Sequence, residues 1–335
     1  MLRRRSKQLA VIVVILVLSG AIFEQIGRYR DRSRFKQIGR SVSIGGRKLN
    51  ISCLGQGSPT VVFDTFGHQS GYSWVAVQSA VAKYTRACWY DRAGYGWSEL
   101  GSSPRTFQSV ASDLHALLRE AGIPSPIVLV GAGDAASHIR VYSGRYPTEV
   151  GGIVMLDAND VDDPSQQIPD SEKGGFQRRF GTWASGVRRA GCWARPFLGR
   201  VGILRIANLF GKPRRTNSFG LTPEQQAELD HLSDNATTQQ ATEACAREES
   251  MRQVRAAGGL RSIPLIVIVS NIGRYGSSSQ DLIKTAEEKS RVDKVPKALA
   301  SLSTDGRVLP IEGDLKPEAI VRSILDVLRM DQGSR

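Results

Sequence analysis

The residues best placed to do chemistry lie where a predicted strand meets a predicted helix, in the turn Gly131-Ala-Gly-Asp134. The four residues before the turn are apolar β-formers, and a helical pattern follows directly. A strand, a tight turn and a helix in this order direct backbone N–H groups at the helix N-terminus toward a ligand. Two chemistries use this geometry. A G-x-S-x-G turn presents a serine nucleophile, whereas a G-x-G-x-x-G/A turn binds a pyrophosphate.

The glycine spacing of this turn fits the pyrophosphate site. Gly131-x-Gly133-x-x-Ala136 meets that pattern in full. Asp157 ends the next predicted strand, about 20 residues further on, where a ribose-binding acid is expected. The chain matches the G-x-S-x-G turn only in the small residues around the serine position, because Gly133 stands at that position itself. The turn alone therefore leaves a dinucleotide binder and a hydrolase-like protein both open.

Length and charge limit the fold and the partners. The 335 residues, 41% of them hydrophobic, suit one large α/β domain with an insertion, or two smaller domains. Residues 1–40 hold ten basic and two acidic residues, a net +8 of the total +13. Because these charges flank an apolar segment, they predict contacts with anionic lipid and no nucleic-acid partner.

The apolar segment Leu9–Phe23 contains 15 residues without a charge. As a helix it is about 22 Å long, somewhat shorter than the roughly 30 Å hydrocarbon core, and extension to Ile26 nearly closes the gap. We predict a single-pass membrane anchor over residues 1–26, followed by a basic stalk over 27–40. The alternative is a cleaved signal segment, with Ser19-Gly20-Ala21 as the small-residue cleavage site.

The rest of the chain alternates strand and helix patterns, which predicts a doubly wound, mostly parallel sheet. From residue 160 to about 257 no strand-like run occurs and helical patterns dominate. Within that stretch, Thr222-Pro-Glu-Gln225 is typical of a capping box with proline at the first helical position. The predicted strands cover residues 42–44, 48–53, 60–63, 85–90, 127–130, 150–156, 264–269 and 307–311.

In this order of elements the chain resembles the α/β-hydrolase superfamily over about residues 40–330. Phe66-Gly67-His68 lies where that family has its first oxyanion loop, and the stretch from Tyr90 to Ser98 looks very like the loop after its fourth strand. The resemblance implies a core over 41–159 and 261–335, with a helical lid over 160–260. The dinucleotide interpretation explains only residues 127–157, so it remains the second alternative.

The resemblance breaks at the chemistry. The family's reaction needs a nucleophile, a histidine and an orienting acid. Gly133 has no side chain to attack with, and the loop after the last strand contains Asp314 but no histidine. The acid could be Asp157, or lie near Ser270. We therefore expect a non-catalytic protein, a ligand-binding or scaffold pseudoenzyme, without metal or cofactor.

The expected pocket is built from Gly67, His68, Gly133 and Asp134, and would hold a small apolar ligand. The alternative function is a hydrolase of altered mechanism that uses Asp134 as nucleophile. His68 and Asp157 are the other weak catalytic candidates. The simpler interpretation of Asp134 is a capping acid at the helix N-terminus. The remaining histidines are His115 and His138, expected to be structural on helices, and His231, expected in the lid.

The four cysteines bear on the compartment. Cys53 and Cys88 fall on the second and fourth strands, which the resemblance implies are neighbours, and Cys192 and Cys245 both fall in the expected lid. Two disulfides would indicate an exported, periplasmic or extracellular domain. Buried free thiols are the alternative. The Arg-rich run after the apolar segment favours the opposite orientation by the positive-inside rule.

Overall fold

A computed structural model describes residues 2–65, 67, 69–158, 197–199, 201–203, 205–206, 219–234, 237–270, 294–311 and 315–333. Its centre is an eight-stranded sheet of order β1-β2-β4-β3-β5-β6-β7-β8. The strands are β1 (Arg40–Ser43), β2 (Lys48–Leu54), β3 (Thr60–Asp64), β4 (Ala87–Tyr90), β5 (Ile127–Ala132), β6 (Val150–Leu156), β7 (Leu265–Val269) and β8 (Gly306–Pro310).

The sheet is mostly parallel, as predicted. β1 and β2 form an antiparallel hairpin, β2 pairs antiparallel with β4, and every pairing from β4 to β8 is parallel. β3, β5, β6 and β7 are buried along their whole length, which explains their continuous apolar sequences. The order differs from the 3-2-1-4-5-6 order of dinucleotide-binding sheets. The dinucleotide alternative therefore loses its structural basis.

Helices cover both faces of the sheet. Side chains of β5 alternate between two apolar cores, as the two-residue period of a strand requires. Leu129 packs in the core shared with α3 and α4, and Val130 in the core shared with α2 and α8. The helices are α1 (Leu2–Arg34), α2 (Val75–Val81), α3 (Phe107–Glu120), α4 (Ala135–Arg145), α5 (Pro223–Asp234), α6 (Thr237–Cys245), α7 (Arg247–Ala256) and α8 (Pro317–Gly333).

Side-chain caps begin two of the described helices. Thr106 accepts a hydrogen bond from the Ser109 N–H at 3.2 Å at the start of α3. At α5, the Thr222 N–H donates to the Gln225 side chain at 3.0 Å, and the Gln225 N–H donates to the Thr222 hydroxyl at 3.3 Å. This reciprocal pair is the expected capping box.

The N-terminal apolar segment lies inside α1. The stretch Ala10–Gly27 is long and apolar enough to cross a membrane, by length and composition. The helix continues to Arg34, so most of the predicted stalk is helical. Four arginines lie between residues 27 and 34, and arginine is a good helix former, so they continue the helix that the apolar segment begins.

A disulfide joins β2 to β4. Cys53 and Cys88 face each other directly in the antiparallel register, with their Cα atoms 4.1 Å apart. The predicted pairing is therefore confirmed. Cys245, on α6, is also disulfide-bonded, and Cys192 lies outside the described residues.

Candidate functional site

The strand-to-helix turn lies at the carboxyl edge of the sheet. β5 ends at Ala132, and Gly133 follows with φ +55°, in the left-handed region that glycine adopts without penalty. The Gly133 N–H donates to the Leu156 carbonyl at 2.9 Å. Gly131 serves close packing, because a Cβ there would lie 2.6 Å from Ile139 Cδ1. Backbone conformation at Gly133 and close packing at Gly131 thus explain both glycines of the pyrophosphate-like pattern.

Asp134 lies at the predicted N-cap position of α4, and its half-buried side chain makes no capping hydrogen bond. Its backbone has φ −65° and ψ −21°, which is helical, whereas a capping residue normally has extended backbone. The acid therefore lies at the helix N-terminus, where the dipole favours it, without the expected hydrogen bond.

A buried acid–histidine pair lies beside the turn. His138 is one helical turn after Asp134, and its Nδ1 is 3.0 Å from Oδ2 of Asp64, the last residue of β3. Their side chains are 5% and 1% exposed. The Phe107 ring packs edge-on against the imidazole at 4.7 Å. His138 is therefore part of the carboxyl edge of the sheet, a position that the sequence did not predict.

Arg92 completes this pair as a third buried group. Its Nη1 is 3.3 Å from His138 Nε2, its Nε is 3.8 Å from Asp64 Oδ1, and its Nη2 donates to the Gly67 carbonyl. Burial alone would lower the pKa of Arg92, but the Glu243 and Asp64 carboxylates raise it above its ordinary value. The same Nη1 lies 3.5 Å from His138 Nδ1, so the guanidinium is close to both ring nitrogens. Asp64 and Arg92 thus both contact the buried imidazole.

Asp157 lies at the end of β6 and is held by the end of β7. Its φ of +43° is left-handed. Its carboxylate accepts from the Ser270 N–H at 2.7 Å and from the Ser270 hydroxyl at 2.5 Å. The two positions predicted for an acid, Asp157 and the end of the seventh strand, are thus hydrogen-bonded to each other.

The loop after β4 is organised by a buried carboxylate, that of Asp91. Gly96 has φ +49°, and any Cβ there would overlap that carboxylate. Burial raises the pKa of Asp91, and its hydrogen bonds oppose the shift. The loop that most resembles the α/β-hydrolases therefore has a structural role. The donors to Asp91 are Ser70 Oγ at 2.5 Å, Gly71 N at 2.8 Å, Asn50 Nδ2 at 3.0 Å and Trp97 N at 3.1 Å.

Helices α5 to α7 contact this loop and the elements next to it. The Tyr95 hydroxyl donates to Glu243 at 2.5 Å, and the Phe107 N–H donates to Ser250 at 3.2 Å. Burial, reinforced by the Glu228 carboxylate, raises the pKa of Tyr72 to about 12. The helical stretch therefore packs on the β4 side of the carboxyl edge.

The other histidines lie apart from this arrangement or outside the description. His115 Nδ1 is 3.0 Å from Glu149, just before β6, and its ring stacks on Tyr146 at 4.1 Å, so it lies toward the amino edge of the sheet. The structural role predicted for His115 agrees with these contacts. His231 lies on α5. His68 and Asp314 lie outside the described residues, whereas Gly67 is described, with φ +57°.

The described part of the chain contains no group of three or more His, Cys, Asp or Glu side chains that could hold a metal ion. Sequence reasoning missed Asp64, Arg92 and His138 as one cluster. A usable signal was present, because Asp64 and Arg92 each follow a buried apolar strand, and parallel strands end at the same edge of a sheet.

No protein-family model matches the chain. It is 35% identical over 139 residues to an uncharacterized protein of Schizosaccharomyces pombe, a match covering 41% of this chain and 23% of that protein. An uncharacterized Bacillus subtilis protein is 25% identical over 151 residues, 44% of this chain and 46% of its own length. An uncharacterized vacuolar membrane protein of Saccharomyces cerevisiae is 29% identical over 104 residues, 30% and 16% of the two chains. The chain thus spans less than half of each relative.

Solved structures match over most of the chain. A thermophilic esterase from Thermogutta terrifontis has a TM-score of 0.57 at 19% identity, covering 87% of this chain and 98% of the esterase. An epoxide hydrolase from Vigna radiata has a TM-score of 0.60 at 17% identity, covering 87% and 97%. At these identities the likeness concerns the fold.

Proposed function

We propose that this chain, which has the α/β-hydrolase fold, is a membrane-anchored protein whose hydrolase-type site binds or scaffolds without breaking bonds. The observation that carries the proposal is Gly133. Its φ of +55° keeps the left-handed elbow of the fold. The residue at the apex of that elbow nevertheless has no atom that could attack a substrate, so acyl transfer by the usual route has no nucleophile.

The state of the histidines supports the same proposal. No histidine follows His231 in the sequence, so the loop after β8 cannot supply the usual proton acceptor. The buried imidazole of His138 is contacted by Asp64 at Nδ1 and by Arg92 Nη1, which lies close to both ring nitrogens. A general base needs a ring nitrogen that can reach the proton it removes. These contacts support a structural role for His138.

The membrane part of the proposal rests on α1. Its stretch Ala10–Gly27 has the length and composition of a membrane span, and one relative carries the name of a vacuolar membrane protein. Disulfides persist in oxidising compartments. The Cys53–Cys88 bond therefore favours an exported globular part, which reverses the orientation that the Arg-rich flank alone would suggest.

The experiment is a turnover assay on the full chain in detergent, with p-nitrophenyl esters and short haloalkanes as substrates. The wild type, Asp134→Asn and a matched control, Asp305→Asn, are compared. Asp305 forms an exposed pair with Arg307 at the start of β8, so its substitution makes the same chemical change away from the elbow. We expect all three proteins to show the same background rate. A rate that Asp134→Asn removes and Asp305→Asn retains would refute the non-catalytic proposal.

The alternative, an enzyme that uses Asp134, is favoured by one observation. The Asp134 carboxylate does not cap α4, and His138, paired with Asp64, lies one helical turn away. Attack of the Asp134 carboxylate on a haloalkane carbon would break the carbon–halogen bond, release halide and leave an aspartyl ester. His138 would then have to activate water to hydrolyse that ester, which requires Arg92 to move away from the imidazole. The turnover assay with haloalkanes separates this alternative from the binding proposal.

A further inference from the structure

One face of α1 is covered by the protein itself, although α1 is the candidate membrane span. Among the described side chains from Val17 to Gly27, five are half-buried or buried while the others are exposed. Their spacing of three and four residues places them on a single helix face. These residues are Val17, Gly20, Ala21, Glu24 and Gly27.

This face packs against the described residues 197–199, 201–203 and 205–206, which are called the 197–206 segment below. A Cβ on Gly20 would overlap the Val201 carbonyl, and a Cβ on Gly202 would lie 2.7 Å from the Gly20 carbonyl. A Cβ on Gly27 would lie 2.6 Å from the Arg205 guanidinium carbon. Small residues allow such close approach between elements packed within a membrane.

An ion pair joins the two elements. Arg205 Nε donates to Glu24 Oε2 at 2.8 Å, and the two side chains are 16% and 7% exposed. Glu24 is the only charged residue between Ala10 and Gly27. Charged side chains within a membrane span are costly and pair with one another. Arg205 therefore neutralises the one charge that opposes insertion of α1.

Three of the described side chains of the 197–206 segment are apolar and exposed. Phe197, Ile203 and Ile206 are 54%, 48% and 44% exposed. Phe23 of α1, itself 41% exposed, lies against Gly202, where its Cδ1 would be 3.4 Å from a Cβ. The exposed apolar surface thus continues from α1 onto this segment, and large exposed apolar surfaces mark interaction sites.

We propose that residues 197–206 form a second membrane-contacting element, held along α1 by the Arg205–Glu24 pair, with Phe197, Ile203 and Ile206 in contact with lipid acyl chains. Lipid is the occupant because the surface is continuous with the helix that lies in the bilayer. This inference rests on the membrane part of the proposed function. It adds that the globular part touches the membrane at a specific segment and is not merely tethered by α1.

The test uses the full chain in vesicles of phosphatidylcholine and phosphatidylglycerol that contain a phospholipid with a photoactivatable diazirine in its acyl chain. Labelled residues are mapped by peptide mass spectrometry. We expect label on α1 and on residues 197–206. Label on α1 alone would overturn this inference and leave the anchor standing. Label on neither element would overturn both proposals.

Variants make the test specific. Ile203→Asn with Ile206→Asn is expected to lose label on the 197–206 segment while α1 stays labelled. Leu309→Asn, at another exposed apolar side chain on β8, is the matched control and should change nothing. Arg205→Gln should lose segment labelling, and the reversed pair Glu24→Arg with Arg205→Glu should restore it. A dimer detected by size-exclusion chromatography in detergent, together with a 197–206 segment that takes up no lipid label, would assign the surface to a second copy and contradict the proposal.

Discussion

Two buried carboxylates at the carboxyl edge of the sheet, Asp64 and Asp91, have different surroundings and different consequences. Asp64 contacts His138 and Arg92, so its charge is balanced by a fixed cation. Asp91 accepts four hydrogen bonds from the loops around it. Burial nevertheless raises the pKa of Asp91, because at this fully buried position the loss of hydration outweighs the opposing effect of the hydrogen bonds.

The raised pKa of Asp91 makes stability depend on pH with a definite sign. From about pH 4 upward the unfolded chain ionises this group, whereas the folded chain holds its proton longer. The free energy of unfolding contributed by Asp91 is therefore fully present at low pH and is lost as the pH rises through the folded-state pKa. Asp91→Asn has no carboxyl group that can ionise at this position. The wild type should therefore lose stability relative to the variant as the pH rises through the folded-state pKa of Asp91.

Urea unfolding of wild type and Asp91→Asn between pH 3 and pH 8 measures the difference. The expected result is a stability difference that moves in favour of the variant as the pH rises. A difference that moves in favour of the wild type would mean that the four donors outweigh burial, so that the folded-state pKa lies below the ordinary 3.8.

The sequence located single residues well where a local pattern defines them. Gly133 and Asp157 lie at strand ends as expected, and the pairing of Asp157 with Ser270 follows from the neighbouring order of β6 and β7. The Asp64–Arg92–His138 cluster was missed because its members are separated by 28 and 46 residues. The three residues come together only through the order of the parallel strands in the sheet. Local sequence periodicity gives no information about that order.

At the scale of elements, the start of α3 depends on its cap. Thr106→Ala removes the hydroxyl that accepts from Ser109, and should lower the free energy of unfolding by about 1 kcal/mol. Thr106→Ser keeps the hydroxyl and loses only the buried methyl group, so it measures how much of the stability loss comes from packing. Denaturant melts of the three proteins give the comparison. Equal losses for the alanine and serine variants would assign the effect to packing rather than capping.

Element positions followed closely from pattern, and the departures have physical reasons. β6 spans Val150–Leu156 as predicted, because its apolar run is buried on both faces. α1 extends past residue 27 because charged residues with high helix propensity continue it to Arg34. The Asp134 side chain makes no capping hydrogen bond in α4. The turn is made at the left-handed Gly133, so the backbone of Asp134 is already helical and not extended as a capping residue normally is.

At the scale of the molecule, the Cys53–Cys88 bond closes a loop of 35 residues across the antiparallel part of the sheet. Removing both sulfurs, in Cys53→Ala with Cys88→Ala, should cost about 3–4 kcal/mol of unfolding free energy by the loop-entropy argument. Denaturant unfolding of wild type and variant under oxidising conditions measures the loss. Reductant added to the wild type also breaks the disulfide of Cys245, so it should cost at least as much. A loss below about 1 kcal/mol in the double variant would contradict the loop-entropy estimate.

The architecture was the most predictable level. The order of strands and helices is distributed along the whole chain, so errors of one or two residues at strand ends leave the topology unchanged. The resemblance to the α/β-hydrolases implied that Cys53 and Cys88 are neighbours, which the register confirms. The contact between α1 and residues 197–206 was not predictable, because it joins a helix to a segment more than 170 residues away.

The central claim is that Gly133 leaves the elbow without a covalent role. Intact-protein mass spectrometry of the full chain after incubation with a fluorophosphonate, and separately with a short haloalkane, measures this most directly. The mass should stay that of the unmodified chain with both reagents, because no hydroxyl or reactive carboxylate occupies the elbow. A mass increase of one adduct, mapped to Asp134 and absent from Asp134→Asn, would contradict the account.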